Sequence, residues 1–163
     1  MSSRELFRAN HWLALHENDS NGVFVHSKNG VMCVPVTNDG EVIFILEPSN
    51  YDGSPMMMLP AGSIDLPETP ETTANRELQE EIGYRSNRLN FLGRVRPWCK
   101  YLDATIDLYL AQNLETSWLP GDEPYVIEQM KYPLSDIDVL IQNGKLQDSS
   151  VITALFLARS WLL

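Results

Sequence analysis

Three glutamates near the middle of the chain have the spacing of a cation-binding group. Glu77, Glu80 and Glu81 stand at i, i+3 and i+4, so a helix would place their carboxylates on one face. Like charges this close repel each other, but Arg76 precedes Glu80 by four residues and Glu68 can engage Arg76 from outside the helix. Clustered carboxylate oxygens are the ligands that a hard cation such as Mg²⁺ prefers. A solvated acidic helix face is the alternative, because charge runs usually face water.

The helix that must position these carboxylates is predicted over residues 70–82. Thr69 can cap its first turn, Pro70 suits the first helical position, and Gly83 suits a left-handed stop after the last turn. A neighbouring arc of the helix is apolar and would hold it on the core, with the carboxylates at the rim of a cleft. The residues of this arc are Ala74, Leu78 and Ile82.

Short strands are predicted on both sides of this helix from β-branched and apolar runs bounded by turn residues. They cover residues 11–16, 22–26, 31–36, 41–46, 89–95, 104–112 and 126–132. The third and fourth of these strands are apolar on both faces, as in a sheet covered on both sides. Asn38-Asp39-Gly40 lies between them and predicts a hairpin, because Asp-Gly readily adopts the positive φ values of a tight turn.

Two further helices are predicted at residues 135–141 and 149–162. The last helix carries a broad apolar stripe of Val151, Ile152, Leu155, Phe156 and Leu162. Mixed strands and helices in a chain of 163 residues predict one domain of the α/β (α+β) class over residues 1–163, with residues 1–30 as an N-terminal strand arm.

Composition excludes several classes of protein. The chain is 44% apolar with a net charge of −10, so disorder and non-specific binding to nucleic acid or anionic membranes are not expected. Its longest apolar runs, such as residues 42–46, are far shorter than the roughly 20 residues that span a bilayer. The two cysteines form no CxxC pair, and the N-terminus lacks the apolar core of a signal peptide. We therefore expect a cytoplasmic protein without nucleic-acid or membrane partners.

Residues 62–84 resemble the Nudix box, G-x5-E-x7-R-E-U-x-E-E-x-G-U, where U is a bulky apolar residue. The matching positions are Gly62, Glu68, Arg76, Glu77, Leu78, Glu80, Glu81, Gly83 and Tyr84. This resemblance implies the Nudix fold, a mixed β-sheet sandwiched between α-helices. It also implies hydrolysis of a nucleoside diphosphate linked to another moiety, with Mg²⁺ or Mn²⁺ as the cofactor.

The resemblance also implies roles by position. Glu77 and Glu81 are expected to be the principal cation ligands, with Glu80 as a further ligand, directly or through water, and the carbonyl of Ala61 as another. Arg76 and Glu68 are expected to orient these ligands, and a purely structural role is the alternative, since groups that support ligands often do both.

A general base is expected outside the box, as in ADP-ribose pyrophosphatases. The loop at residues 119–124 supplies carboxylates, and Glu123 is favoured over Asp122 or Glu128. An ordinary acidic turn is the alternative, because Pro and Gly favour turns in any case.

Beyond the box, the chain resembles the ADP-ribose pyrophosphatase branch of the family at residues 59–62, 89–92, 121–124, 132–134 and 154–162. This implies a homodimer that cleaves ADP-ribose, NADH or diadenosine polyphosphates to AMP and a second phosphorylated product. The alternatives are another nucleoside diphosphate-sugar or a nucleoside triphosphate as the substrate, a non-catalytic nucleotide-sensing module, or an interaction module acting through its last helix. Trp98, Tyr101 and Trp118 could stack on a base or simply pack.

Overall fold

Strands and short helices alternate along the chain. The computed structural model describes residues 2–121 and 123–162, and all elements below lie within them. The strands are β1 (Ser3–Arg8), β2 (Leu13–Asn18), β3 (Val23–Ser27), β4 (Gly30–Pro35), β5 (Glu41–Pro48), β6 (Pro55–Met58), β7 (Ala61–Ser63), β8 (Tyr84–Val95), β9 (Leu102–Asp103), β10 (Ile106–Thr116) and β11 (Glu128–Pro133). The helices are α1 (Pro70–Glu81), α2 (Ile137–Gln142), which follows a 3₁₀ turn, and α3 (Ser149–Leu162).

A mixed sheet in the order β7-β4-β10-β8 forms the centre of the fold, with β4 parallel to β10 and the other neighbours antiparallel. Helix α1 contacts β4, β7 and β8, whereas α3 contacts β4, β8 and β10. The expected mixed sheet between helices is thus confirmed. A second, antiparallel sheet has the order β11-β5-β6, and the N-terminal strands form a third sheet, β1-β2-β3-β9.

The two helices cover opposite faces of the central sheet, because successive residues of its strands enter different cores. In β4, Met32 and Val34 join the core that contains α3, whereas Val31 and Cys33 join the core that contains α1. Strand β5 alternates in the same way, with Phe44 on the α3 side. The prediction that both strands are buried on both faces is confirmed.

The predicted hairpin between β4 and β5 is wrong. The turn itself is present, since Gly40 has a φ of 79° and donates its N–H to the Thr37 carbonyl at 3.0 Å. Only the bridge between Val36 and Val42 follows, and the strands then separate into different sheets. Strand β4 already has β7 and β10 on its two edges, so it has no free edge for β5.

Three strands lack the alternation that identifies a strand from sequence. Every residue of β1 is exposed, and β7 contains Gly62, a residue type depleted in strands. The methionines of β6 follow one another without alternating polar residues. Strand β8 also begins five residues earlier than predicted, directly after the stop at Gly83. The strand conformation of β1, β6 and β7 is therefore determined by pairing with neighbouring strands rather than by a pattern in their own residues.

Helix α3 has the predicted bounds but a different buried face. Val151 and Leu155 are fully buried, whereas Phe156 is 59% and Leu162 is 40% exposed. The buried face is completed by small side chains, Ala154 and Ala158, which allow the helix to approach the sheet closely. None of the described helices has the length and apolarity required to cross a membrane.

Candidate active site

Helix α1 holds its carboxylates in place through its caps and its apolar face. The side chain of Thr69 accepts a hydrogen bond from the Thr72 N–H at 3.3 Å, and Pro70 occupies the first turn. Gly83 follows the helix with a φ of 73°, the conformation predicted for the stop. The predicted apolar arc is confirmed, and its members are all buried: Ala74, Leu78 and Ile82.

Arg76 is the centre of the charged network on this helix. Its Nε donates to Glu68 Oε1 at 3.0 Å, and its Nη1 donates to Glu77 Oε1 at 2.7 Å and to Glu80 Oε2 at 2.9 Å. Its Nη2 also reaches the carbonyl of Ser63 at 3.2 Å. The predicted contacts of Arg76 with Glu80 and Glu68 are present. Burial opposes the charge of Arg76, but its carboxylate partners raise its pKa, so it stays cationic.

Glu68 lies outside the helix and joins the network from the preceding loop. Its carboxylate accepts hydrogen bonds from Arg76 and, at 2.9 Å, from the hydroxyl of Thr73. The hydrogen bond from Arg76 lowers the pKa of Glu68, so this carboxylate remains ionised and fixes the guanidinium.

Glu77 lies directly against Gly62 of β7. It is 5% exposed, and a Cβ atom placed on Gly62 would lie 1.8 Å from Glu77 Oε1. A side chain at position 62 would therefore displace the carboxylate. Burial raises the pKa of Glu77 to about 7, although the charge of Arg76 acts in the opposite direction.

Glu81 is the most deeply buried carboxylate of the group, at 2% exposure. Its Oε2 accepts the N–H of Ala61 at 3.1 Å, which ties the end of α1 to β7. Burial, followed by the charges of Glu77 and Glu47, raises the pKa of Glu81 to about 10. Glu77 and Glu81 are thus more deeply buried than the rim position that the sequence suggested.

These residues fit a hard divalent cation. Two buried carboxylates are costly to ionise without a nearby positive charge, and carboxylate and carbonyl oxygens are the donors that Mg²⁺ and Mn²⁺ accept. Among the described residues, no three acidic, histidine or cysteine side chains already surround one point. Arg76 holds Glu77 and Glu80 instead, so a cation would have to draw these carboxylates away from the guanidinium.

Glu47 is a further carboxylate of the site, and sequence reasoning did not select it. It follows Ile43 and Ile45 with the same parity in β5, so it projects toward the face that carries α1. Its Oε1 accepts the hydroxyl of Tyr125 at 3.4 Å, and burial raises its pKa. Neighbouring Gln129 donates to the carbonyl of Glu81 at 3.3 Å, which joins this sheet to the end of α1. Continuing the alternation of β5 by one further step would have identified Glu47.

Glu123 shares a cavity with the box residues. The cavity is about 370 Å³ in volume, and Ala61, Gly62, Arg76 and Glu77 line it together with Glu123. The carboxylate of Glu123 lies close to Gly121, since a Cβ at that position would lie 2.6 Å from Glu123 Oε2.

The two alternatives to Glu123 have different outcomes. Glu128 is exposed on β11 opposite Leu46 and lines a separate pocket with Glu47 and Tyr125. Asp122 lies outside the described residues.

Trp12, which sequence reasoning did not select, lines the cavity beside His11. Trp98 and Tyr101 pack edge to face with ring centroids 6.0 Å apart, in a different part of the structure. Trp118 covers Gly83, where a Cβ would lie 2.5 Å from its ring. Trp12 belongs to the turn between β1 and β2, and no local pattern connects that turn with the box.

Comparison with solved structures supports a hydrolase fold. The chain superimposes on a protein described as "Crystal structure of ADP compounds hydrolase" with a TM-score of 0.82 and 28% identity, covering 99% of this chain and 92% of the other. The chain therefore shares the fold of this hydrolase, a mixed sheet between helices.

Sequence comparisons identify the family. The NUDIX domain profile matches residues 26–155. The chain is 33% identical to the ADP compounds hydrolase NudE of Escherichia coli (strain K12), over 83% of this chain and 73% of the relative. It is 26% identical to the ADP-ribose pyrophosphatase of Bacillus subtilis (strain 168), over 80% of this chain and 72% of the relative. The chain belongs to the Nudix family and is a pyrophosphohydrolase.

Proposed function

We propose that this protein hydrolyses the pyrophosphate bond of nucleoside diphosphate compounds such as ADP-ribose, NADH and diadenosine polyphosphates, and releases AMP. Two relatives that act on ADP compounds and on ADP-ribose support this substrate class. The observation that carries the proposal is the pair of buried carboxylates on α1: Glu77 lines the cavity beside Arg76, and Glu81 lies one helical turn further along.

Mg²⁺ or Mn²⁺ is the proposed cofactor. Glu77 and Glu81 would be its principal ligands, with Glu80 and the carbonyl of Ala61 as further donors. When bound, the cation neutralises the charge of the diphosphate that would otherwise repel a water nucleophile. The low exposure of Glu77 and Glu81 supports this role, since a cation would satisfy both carboxylates.

The remaining residues of the site would position the ligands and move a proton. Arg76 and Glu68 would hold the carboxylates in register through their shared hydrogen bonds. Glu123 would accept the proton of the attacking water, because it faces the same cavity as Glu77. The water oxygen would form a new P–O bond to one phosphorus as the bond from that phosphorus to the bridging oxygen breaks, so that AMP and a second phosphorylated product leave.

We propose a homodimer in the cytoplasm that has neither nucleic acid nor membrane as a partner, in which residues 1–163 form one domain. The net charge of −10 supports the absence of these anionic partners, because their phosphates would be repelled.

The test is a substrate panel with purified protein. It compares kcat/KM for ADP-ribose, NADH, a diadenosine polyphosphate, GDP-mannose and nucleoside triphosphates, each with Mg²⁺, Mn²⁺ or a chelator. AMP release from the adenosine diphosphate compounds should exceed release from the other substrates and should stop with chelator. Activity on nucleoside triphosphates alone would refute the substrate class, and binding without any turnover would indicate a nucleotide sensor.

A matched pair of variants assigns the activity to this site. Glu81→Gln should lower kcat/KM by about 100-fold or more. It weakens binding of the cation that would neutralise the charge of the diphosphate during the reaction. Glu115→Gln makes the same chemical change at an exposed position of β10 and should leave activity unchanged. Equal activity of the two variants would remove Glu81 from the proposed ligands.

A further inference from the structure

The cavity beside Glu77 contains a second cation, Lys28, in addition to Arg76. Arg76 is already engaged by Glu68, Glu77 and Glu80. A diphosphate that enters a cavity lined by carboxylates needs positive charge beyond that of the cofactor. Lys28 is therefore the described lysine or arginine of the cavity whose cationic group is not engaged by Glu68, Glu77 or Glu80.

Lys28 is held in an ion pair that a substrate could replace. Its Nζ lies 2.5 Å from Asp65 Oδ1, and the side chains are 36% and 61% exposed. Exposed pairs of this kind contribute little to stability, so this one can open at little cost. An ammonium group on a flexible stem can then turn toward a phosphate, for which it acts as a compact point charge.

The backbone that carries Lys28 is fixed to the loop of the Nudix box. The neighbouring Asn29 accepts the N–H of Ile64 through its carbonyl at 3.0 Å. Gly30 pairs with Ser63, and a Cβ on Gly30 would lie 2.8 Å from the carbonyl of Gly62. The position of Lys28 relative to this loop is therefore set by the sheet, while the ammonium group remains free to move.

The ion pair also lies between two cavities. Lys28 and Asp65 line both the cavity of Glu77 and a neighbouring one of about 650 Å³, which His26 and Leu66 also line. A compound with large groups on both sides of a diphosphate could place one group in each cavity. Its phosphates would then pass over Lys28.

We propose that Lys28 binds the diphosphate of the substrate and exchanges Asp65 for a phosphate oxygen when the substrate enters. This inference rests on the proposed function, because it concerns the same site and the same substrate class. It makes Lys28 a substrate-binding residue rather than a cation ligand, and it assigns Asp65 as a competitor of the substrate for the ammonium group.

The first test is kinetic. Lys28→Met should raise KM for ADP-ribose by about 10- to 100-fold, the range for loss of a hydrogen bond to a charged group, and should change kcat much less. The same rise should appear for every diphosphate compound that the protein cleaves, because the contact is with the phosphates. Lys28→Arg should recover most of the loss, and Asp65→Asn should lower KM because it frees the ammonium group. Lys131→Met is the control, since this lysine is exposed on β11.

The second test separates binding from turnover. Calorimetry with the non-hydrolysable α,β-methylene analogue of ADP-ribose should show weaker binding to Lys28→Met, with Mn²⁺ affinity and the unfolding temperature equal to those of the control. Analogue binding and KM equal to those of Lys131→Met would overturn the inference, as would a parallel loss of Mn²⁺ affinity or of folding. Absence of turnover in the unmodified protein would refute the proposed function alone, because analogue binding still tests Lys28.

Discussion

Replacing Glu81 by glutamine should stabilise the cation-free protein even though it removes activity. The carboxylate is 2% exposed, and its pKa is raised to about 10 by burial and by the charges of Glu77 and Glu47. Glutamine retains an oxygen that can accept the N–H of Ala61 but carries no charge and does not titrate. The variant therefore removes an electrostatic cost while preserving the contact between α1 and β7.

The magnitude follows from the pKa shift of Glu81. Its pKa in the folded protein lies above the unfolded value of 4.5, so its contribution to stability is complete below pH 4.5 and is lost as the pH rises toward about 10. Within this window each pH unit costs about 1.4 kcal/mol, which is about 3 kcal/mol at pH 7. In a domain of this size, 1 kcal/mol changes the unfolding temperature by about 2–4 °C. Glu81→Gln should therefore unfold several degrees higher at neutral pH.

The assay is thermal unfolding followed by circular dichroism in chelator between pH 5 and 9. The difference between Glu81→Gln and the unmodified protein should grow with pH. Mg²⁺ should raise the unfolding temperature of the unmodified protein more than that of the variant, because only the former retains the full ligand set. Glu115→Gln should match the unmodified protein throughout. A Glu81→Gln protein that is less stable than the unmodified one at pH 8 in chelator would refute the reasoning.

Three further substitutions test separate parts of the site. Gly62→Ala should weaken Mn²⁺ binding about tenfold or more, because the added methyl group would lie 1.8 Å from Glu77 Oε1 and would displace that carboxylate. Unchanged affinity in a Mn²⁺ titration would contradict this. Glu123→Gln should lower kcat by about 10²–10⁴-fold without changing Mn²⁺ affinity, and equal losses of both would show that it acts through the cation. Leu78→Ala should cost about 2–5 kcal/mol in urea unfolding, because this residue is fully buried between α1 and the sheet; a cost below 1 kcal/mol would show that the helix is not anchored there.

The parts of the site that sequence could predict are those set by local spacing. The i, i+4 interval between Arg76 and Glu80, the cap at Thr69 and the stop at Gly83 all act within a few turns of one helix, and all three are present. The first and last residues of α3 could also be predicted from the sequence, because its polar start and its apolar run are continuous.

The remaining parts depend on contacts between distant segments. Trp12 and Lys28 line the cavity because the N-terminal strands pack beside the start of the Nudix box. No pattern within either segment predicts that contact. The hairpin prediction was wrong for a related reason, since the turn at Gly40 favours pairing of β4 and β5 but the neighbouring strands compete for β4. The exposure of Phe156 on α3 likewise reflects which face meets the sheet, which helix periodicity alone does not decide.

The separation of β4 and β5 sends two consecutive strands to different parts of the site. Their chain is closed at one end by the turn at Gly40 and the bridge between Val36 and Val42. Away from this turn, β4 begins beside β7, and β5 carries Glu47 next to its last residue, Pro48. Because the charge of Glu47 raises the pKa of Glu81, a substitution that shifts β5 relative to β4 would alter the electrostatics of Glu81 without replacing any carboxylate.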